Sequence, residues 1–128
     1  MIEILDRPLS PEEVVHRAQT PGSGCVVTYV GLIRDNSHGQ RVKSVEYRDT
    51  GGRAEERLQQ IAAEARQKWP LENVAIYHRV GILQVGDINL VVAVAAAHRG
   101  EGLEACRFIV DNFKSRLPTA KTETYLEG

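Results

Sequence analysis

The sequence has no excess of charge of either sign, since 16 Lys and Arg nearly balance 17 Asp and Glu. No overall electric field therefore favours binding to nucleic acid or to a membrane surface, and neither is expected as a partner. Any basic site on this chain must be local.

Cysteines and long apolar segments are also scarce. Cys25 and Cys106 lie in apolar stretches without the spacing of a disulfide framework, so we expect core thiols in a reducing cytoplasm. The segment MIEILDRPLS has no basic region followed by a long apolar one, as a signal peptide would, and no apolar run approaches bilayer length. The 128 residues predict one soluble cytoplasmic domain, residues 1–128.

Several catalytic signatures are missing as well. The sequence contains no phosphate-binding glycine loop, no nucleophile elbow and no pair of His or Cys at metal-ligand spacing. We therefore expect neither a metal nor a cofactor.

What the sequence does contain predicts alternating strands and helices. The segment Ser10-Pro11-Glu12-Glu13 is typical of a helix start, with Ser10 as the cap and Pro11 at the first position. Apolar residues at helical spacing predict two further helices. We expect helices at about 11–20, 53–69 and 101–117, and strands at 1–5, 25–30, 42–47, 74–78 and 88–97. This order favours an α+β domain.

The stretch VVAVAAAHRG, residues 91–100, predicts a strand buried on both faces that ends at His98 and Arg99. The last helix follows directly, and the free N–H groups of a helix N-terminus favour an anion. Arg34 lies in the polar loop after the strand 25–30. If these two strands are neighbours, Arg34 could converge with His98 and Arg99. The residues alone thus indicate an α+β domain with a candidate anion site.

Four segments in a consistent order resemble the large, catalytic subunit of molybdopterin synthase, and together they run from about residue 24 to residue 123. They read GCVVTYVGLIRDNS, KWPLENVAIYHRVGILQVGD, AAAHRGEGLEACRFIVDNFKSRLP and AKTE. With this resemblance, the expected fold class is α+β: an α/β-hammerhead-like single domain with a mixed or antiparallel sheet and three main helices.

The resemblance implies a sulfurtransferase of molybdenum cofactor biosynthesis. In that family, cyclic pyranopterin monophosphate receives two sulfurs from the thiocarboxylated C-terminal glycine of a small ubiquitin-like subunit, which ends in Gly-Gly. Two large subunits form a homodimer with a small subunit at each outer end, a heterotetramer. Each site draws on both large protomers.

The resemblance also implies roles for residues of this sequence. Lys114 and Lys121 correspond to the catalytic lysines, which also bind substrate. The remaining substrate-binding positions are Leu32, Ile33, Arg34, His98, Arg99, Thr122 and Glu123. The chemistry suits these roles, because a phosphate and a thiocarboxylate are both anions and need concentrated positive charge. A lysine crowded by other cations also loses its proton more readily, which suits proton transfer by Lys114.

The sequence departs from the family pattern in two places. Residues 48–53 replace the usual tyrosine, proline and methionine, and Ala120, preceded by Thr119, replaces the aromatic residue before Lys121. Because of these departures, the alternative function is that of a non-catalytic paralogue, which keeps dimer and partner binding without turnover. A small-anion or nucleotide-binding module of another family is a third interpretation.

Overall fold

The computed structural model describes residues 1–127, which form eight strands and three helices. The helices are α1 (Pro11–Ala18), α2 (Ala54–Lys68) and α3 (Arg99–Ser115). The strands are β1 (Ile2–Leu5), β2 (Cys25–Leu32), β3 (Asn36–Ser37), β4 (Gln40–Arg48), β5 (Leu71–Arg79), β6 (Gly81–Gln84), β7 (Ile88–Ala96) and β8 (Ala120–Tyr125). The expected α+β class with three main helices is confirmed. Within these residues, no helix is long and apolar enough to cross a membrane.

The main sheet has the strand order β1-β5-β7-β2, with β1 parallel to β5 and the other pairs antiparallel. Helix α1 covers one face, and α2 and α3 cover the other. In β7, Val91 and Ala93 pack in the cluster on the α1 side, while Val92 and Val94 pack with α2 and α3. Strand β7 is therefore apolar at consecutive positions because both of its faces are buried.

The second sheet is built around β4, which pairs antiparallel with β3, β6 and β8. Its inner face forms a separate small core that includes Val42, Val45, Tyr47 and Leu83. Strands β3, β6 and β8 were not predicted. They are short or polar, and AKTETY in β8 has no apolar alternation, so only pairing with β4 shows them to be strands.

The polar loop predicted after the strand 25–30 is partly wrong, because residues 31–41 include the end of β2, all of β3 and the start of β4, and β3 and β4 form a hairpin. At the hairpin turn, His38 and Gly39 both have positive φ, of 53° and 76°. This backbone conformation is the one that a two-residue turn between twisted strands requires.

The helix starts have the expected local causes. The Ser10 side chain accepts a hydrogen bond from the Glu13 N–H at 3.2 Å, so the predicted cap of α1 is confirmed. Before α2, the Ala54 N–H donates to Asp49 Oδ1 at 3.0 Å. The divergent segment at residues 48–53 thus supplies the start of α2. The predicted helix ends differ from the observed ones by one or two residues.

Candidate functional site

A cavity of about 560 Å³ lies where the end of β2, the second sheet and the last turns of α3 meet. Three aromatic residues, Tyr29, Tyr47 and Phe113, form part of its wall. Six of the sequence-predicted site residues line it: Leu32, Ile33, Arg34, Lys114, Lys121 and Glu123. The tertiary structure thus brings together residues that are up to 91 positions apart in the chain.

Lys114 reaches the cavity from the last turn of α3. Its Nζ atom lies 5.9 Å from the centroid of the Tyr29 ring, which comes from β2. At this distance the electron-rich face of the ring attracts the ammonium group. The preceding residue, Phe113, is buried in the core and holds this part of the helix in place.

Lys121 and Glu123 reach the cavity from β8. They lie opposite Tyr47 and Val45 of β4, so their side chains share the inner face of the second sheet. The Lys121 Nζ and Glu123 Oε1 atoms are 3.8 Å apart, and the carboxylate is the more buried partner of this ion pair. Glu123 therefore restrains Lys121 at the cavity wall.

Thr122 is placed differently from the sequence-based expectation, and this part of the site is corrected. It lies opposite Glu46, on the outer face of the second sheet, and it does not line the cavity. Side chains alternate between the faces of a strand, so two neighbours of Thr122 can face the cavity only if Thr122 itself faces away.

The segment from Leu32, the last residue of β2, to Arg34 is held by its middle residue. Ile33 is buried, its N–H donates to the Asp87 carbonyl at 2.9 Å, and its carbonyl accepts from the Gly86 N–H at 2.9 Å. The exposed side chains on either side, Leu32 and Arg34, therefore stand at the mouth of the cavity.

His98 and Arg99 do not join this cavity within one chain, and the expected convergence with Arg34 is wrong in that form. Strands β2 and β7 are neighbours but antiparallel, so Cys25 pairs with Ala96 at one end of the sheet. Arg34 follows the opposite end of β2, and an eight-residue strand spans roughly 27 Å. His98 and Arg99 instead line a separate shallow pocket at the start of α3.

The charges of the main cavity suit an anion. Arg34, Lys114 and Lys121 line it together with a single carboxylate among the described residues, that of Glu123. No group of three or more His, Cys, Asp or Glu side chains in residues 1–127 is arranged to hold a metal ion. The three cationic side chains are groups that can bind an anion.

Sequence reasoning missed the uncharged wall of the cavity. Asn89 Nδ2 donates to Tyr47 Oη at 3.1 Å, and burial raises the pKa of the Tyr47 phenol. Tyr29, Gly31 and Ile33 lie on the cavity side of β2 and of the loop that follows it. The sequence gives no signal for this wall, because Val30 and Leu32, which alternate with these three residues, are apolar as well and differ from Ile33 only in their exposure in the structure.

Comparison with known proteins gives a consistent result. The family described as MoaE protein matches residues 4–116 of the chain. The human protein named molybdopterin synthase catalytic subunit is 35% identical over 128 residues, which cover all of this chain and 68% of that protein. The crystal structure of molybdopterin synthase from Staphylococcus aureus superposes with a TM-score of 0.90 at 31% identity, covering 98% of this chain and 92% of that one. A chain from a complex of subunits 1 and 2 of molybdopterin-converting factor from Helicobacter pylori shares the fold, with a TM-score of 0.78 at 15% identity, covering 97% and 84%.

Proposed function

The chain belongs to the MoaE protein family, and from this membership we propose that it is the catalytic subunit of a molybdopterin synthase in molybdenum cofactor biosynthesis. The reaction we propose is sulfur transfer from the thiocarboxylated C-terminal Gly-Gly of a small ubiquitin-like subunit to cyclic pyranopterin monophosphate. The observation that supports the proposal most directly is the cavity that Arg34, Lys114 and Lys121 line together. Residues 1–128 form one large-subunit domain in this proposal, and a cytoplasmic location stays a prediction.

The cavity has the size and charge that the proposed reactants need. Its volume of about 560 Å³ is in the range of small-molecule sites. Both reactants are anions that repel one another, and fixed cations lower the energy of bringing them together. Arg34 carries a permanent charge with planar donors suited to phosphate, and stands at the mouth of the cavity.

We assign the sulfur-transfer step to the part of the cavity that Lys114 and Lys121 line. The Tyr29 ring orients the Lys114 ammonium, and Glu123 restrains that of Lys121. An ammonium group in this position stabilises the negative charge that develops on the substrate and can donate a proton, and the neutral amine that remains can accept one. Lys121 remains 42% exposed, so the C-terminus of a partner can reach it.

The experiment that tests this function is conversion of cyclic pyranopterin monophosphate in vitro with the thiocarboxylated partner. Lys114→Ala should slow conversion by at least about 100-fold, as expected for loss of a positioned acid–base or charge-stabilising group. Lys43→Ala is the matched control, since Lys43 is an exposed lysine of β4 that does not line the cavity. Normal conversion by Lys114→Ala would refute the role of Lys114. Binding of substrate and partner by the unmodified chain without product would instead select the non-catalytic paralogue.

We propose that His98 and Arg99 act in the site of a second protomer within the homodimer. Strand β2 lies at the end of the main sheet, and its outer edge is unpaired among residues 1–127. Antiparallel pairing of β2 with β2 of a second copy would bring the His98–Arg99 end of one chain beside the Arg34 end of the other. In this arrangement, His98 and Arg99 of one chain lie beside the cavity of the other chain.

Mixed dimers test the shared site. Lys114→Ala and Arg99→Ala chains are inactive separately if each site needs both residues. A dimer that contains one chain of each variant has one intact site, because both substitutions then lie in the second site. Mixing the unfolded chains and refolding them should therefore restore about a quarter of the unmodified activity. Recovery of no activity would show that Lys114 and Arg99 act within one chain or do not share a site.

A further inference from the structure

His78, near the end of β5, and Thr119, directly before β8, are buried polar residues that the proposed mechanism does not use. Their exposed fractions are 0% and 6%. His78 Nδ1 lies 2.9 Å from the Asn89 carbonyl oxygen, and His78 Nε2 lies 2.9 Å from Thr119 Oγ1. Both ring nitrogens thus have partners in the interior of the protein.

These two contacts determine the protonation pattern of the ring. A carbonyl oxygen can only accept, so His78 Nδ1 must carry a hydrogen. Burial lowers the pKa of His78, which favours the neutral ring. In a neutral ring Nε2 is then a bare acceptor, and the Thr119 hydroxyl donates to it.

The His78 ring touches the segments that carry both cavity lysines. It packs edge-on against Phe113, the residue before Lys114, with ring centroids 5.0 Å apart. On another side it packs edge-on against Tyr47, also at 5.0 Å, which lies opposite Lys121 in the β4–β8 register. Thr119 itself is two residues before Lys121. One buried ring therefore contacts the surroundings of both lysines.

The connection between α3 and β8 is held at several points: Arg116 donates two hydrogen bonds to the Glu64 carboxylate at 3.1 and 2.9 Å, and Leu117 packs against two of the hydrophobic clusters. Helix α3 ends at Ser115, and the proline at position 118 cannot continue it. Besides the bond between Thr119 and His78, the Pro118 carbonyl accepts a long hydrogen bond of 3.4 Å from Arg57. Among these contacts, the Thr119–His78 bond lies nearest to β8, which begins at Ala120, so a shift of Thr119 would move the start of the strand that carries Lys121.

We propose that His78 is a positioning residue, and that the hydrogen bond donated to it by Thr119 sets the spacing between Lys114 and Lys121 across the cavity. The expected effect on catalysis rests on the proposed function. The hydrogen bond itself, and its effect on the positions of the two lysines, do not depend on that function.

The first test compares two substitutions of Thr119. Thr119→Val keeps the shape but removes the hydroxyl donor, and Thr119→Ser keeps the donor. We expect kcat of Thr119→Val to fall about tenfold or more, because displacements near 1 Å have effects of this size on positioned groups. Thr119→Ser should stay within about threefold of the unmodified chain. Thr124→Val is the control, because it makes the same change on the outer face of β8, opposite Ser44.

The second test does not depend on turnover. Long-range ¹H–¹⁵N spectra at neutral pH should show a protonated Nδ1 and a bare Nε2 for His78, and the Nε2 resonance should move in Thr119→Val. The proposal is overturned if Nε2 carries the hydrogen, if Thr119→Val keeps its kcat, or if Thr119→Ser is as slow as Thr119→Val. Absence of product from the unmodified chain would instead count against the proposed function, and the spectra would still test the hydrogen bond.

Discussion

Gly31→Ala should damage the cavity wall, because there is no space for a side chain at this position. A Cβ atom at Gly31 would lie 2.8 Å from Asn89 Oδ1 and 3.1 Å from Tyr29 Cε1. Asn89, which donates to Tyr47, and Tyr29, whose ring lies beneath Lys114, must therefore shift to admit the new atom.

The structure sets the size of the expected effect. Overpacking a buried site costs about 1–3 kcal/mol of unfolding free energy, and the reduced freedom of the unfolded chain returns about 0.4–1 kcal/mol. At the midpoints of these two ranges, about 2 and about 0.7 kcal/mol, the net loss is roughly 1.3 kcal/mol. For a chain of 128 residues, 1 kcal/mol corresponds to roughly 4 °C in Tm, so the melting temperature should fall by about 5 °C. Turnover should fall about tenfold or more, because the wall beneath Lys114 moves.

The assay for Gly31→Ala is thermal unfolding followed by circular dichroism, together with the conversion assay. Gly100→Ala is the control for stability, since a Cβ at Gly100 would meet no atom within 4 Å. This exposed position in the first turn of α3 should gain up to about 1 kcal/mol from the better helix former. If Gly31→Ala melted and turned over like the unmodified chain, the wall would be more adaptable than the distances imply, and the reasoning would be refuted.

Three further predictions concern groups around this site. Burial raises the pKa of the Cys106 thiol to about 11, so iodoacetamide at pH 8 should label Cys106 only after denaturation. Mass spectrometry measures the labelling, and rapid labelling of the native chain would contradict the buried position. Burial lowers the pKa of His78 below its ordinary 6.5, so the unfolded chain binds the extra proton and stability should fall as pH drops below about 6.5. The loss of Tm between pH 7.5 and 5.5 should be smaller in His78→Asn, and an equal loss in both proteins would rule out this linkage. Asp87 Oδ2 accepts from the Gln84 N–H at 2.8 Å in the turn that holds Ile33. Asp87→Ala should therefore raise KM for the phosphate-bearing substrate several-fold with little change in kcat. An unchanged KM would show that the Ile33 segment is held without the Asp87 side chain.

The elements that sequence reasoning predicted correctly have local causes. The cap and proline before α1, the apolar spacing of α2 and α3, and the continuous apolar run of β7 act over a few residues each. Strand β8 has no such signal, because its residues are polar and their backbone partners belong to β4, some 75 positions earlier in the chain. Its prediction needed knowledge of the fold.

The candidate site was predictable in part for the same reason. The cations at 34, 114 and 121 stand in recognisable motifs, so the resemblance identified them without coordinates. The uncharged wall has no motif of its own. Tyr29, Tyr47 and Asn89 become neighbours only when β2, β4 and β7 meet at the cavity.

The sequence by itself determined the α+β class, most helices and strands, the resemblance to a family and the candidate cations, because each depends on local pattern or on ordered motifs. Only the tertiary structure decided which of these residues meet. The antiparallel pairing of β2 with β7 separates His98 and Arg99 from Arg34, and the alternation of β8 turns Lys121 and Glu123 toward the cavity and Thr122 away from it. Both results follow from strand direction and register, which are set by pairing between distant segments and cannot be derived from any one segment alone.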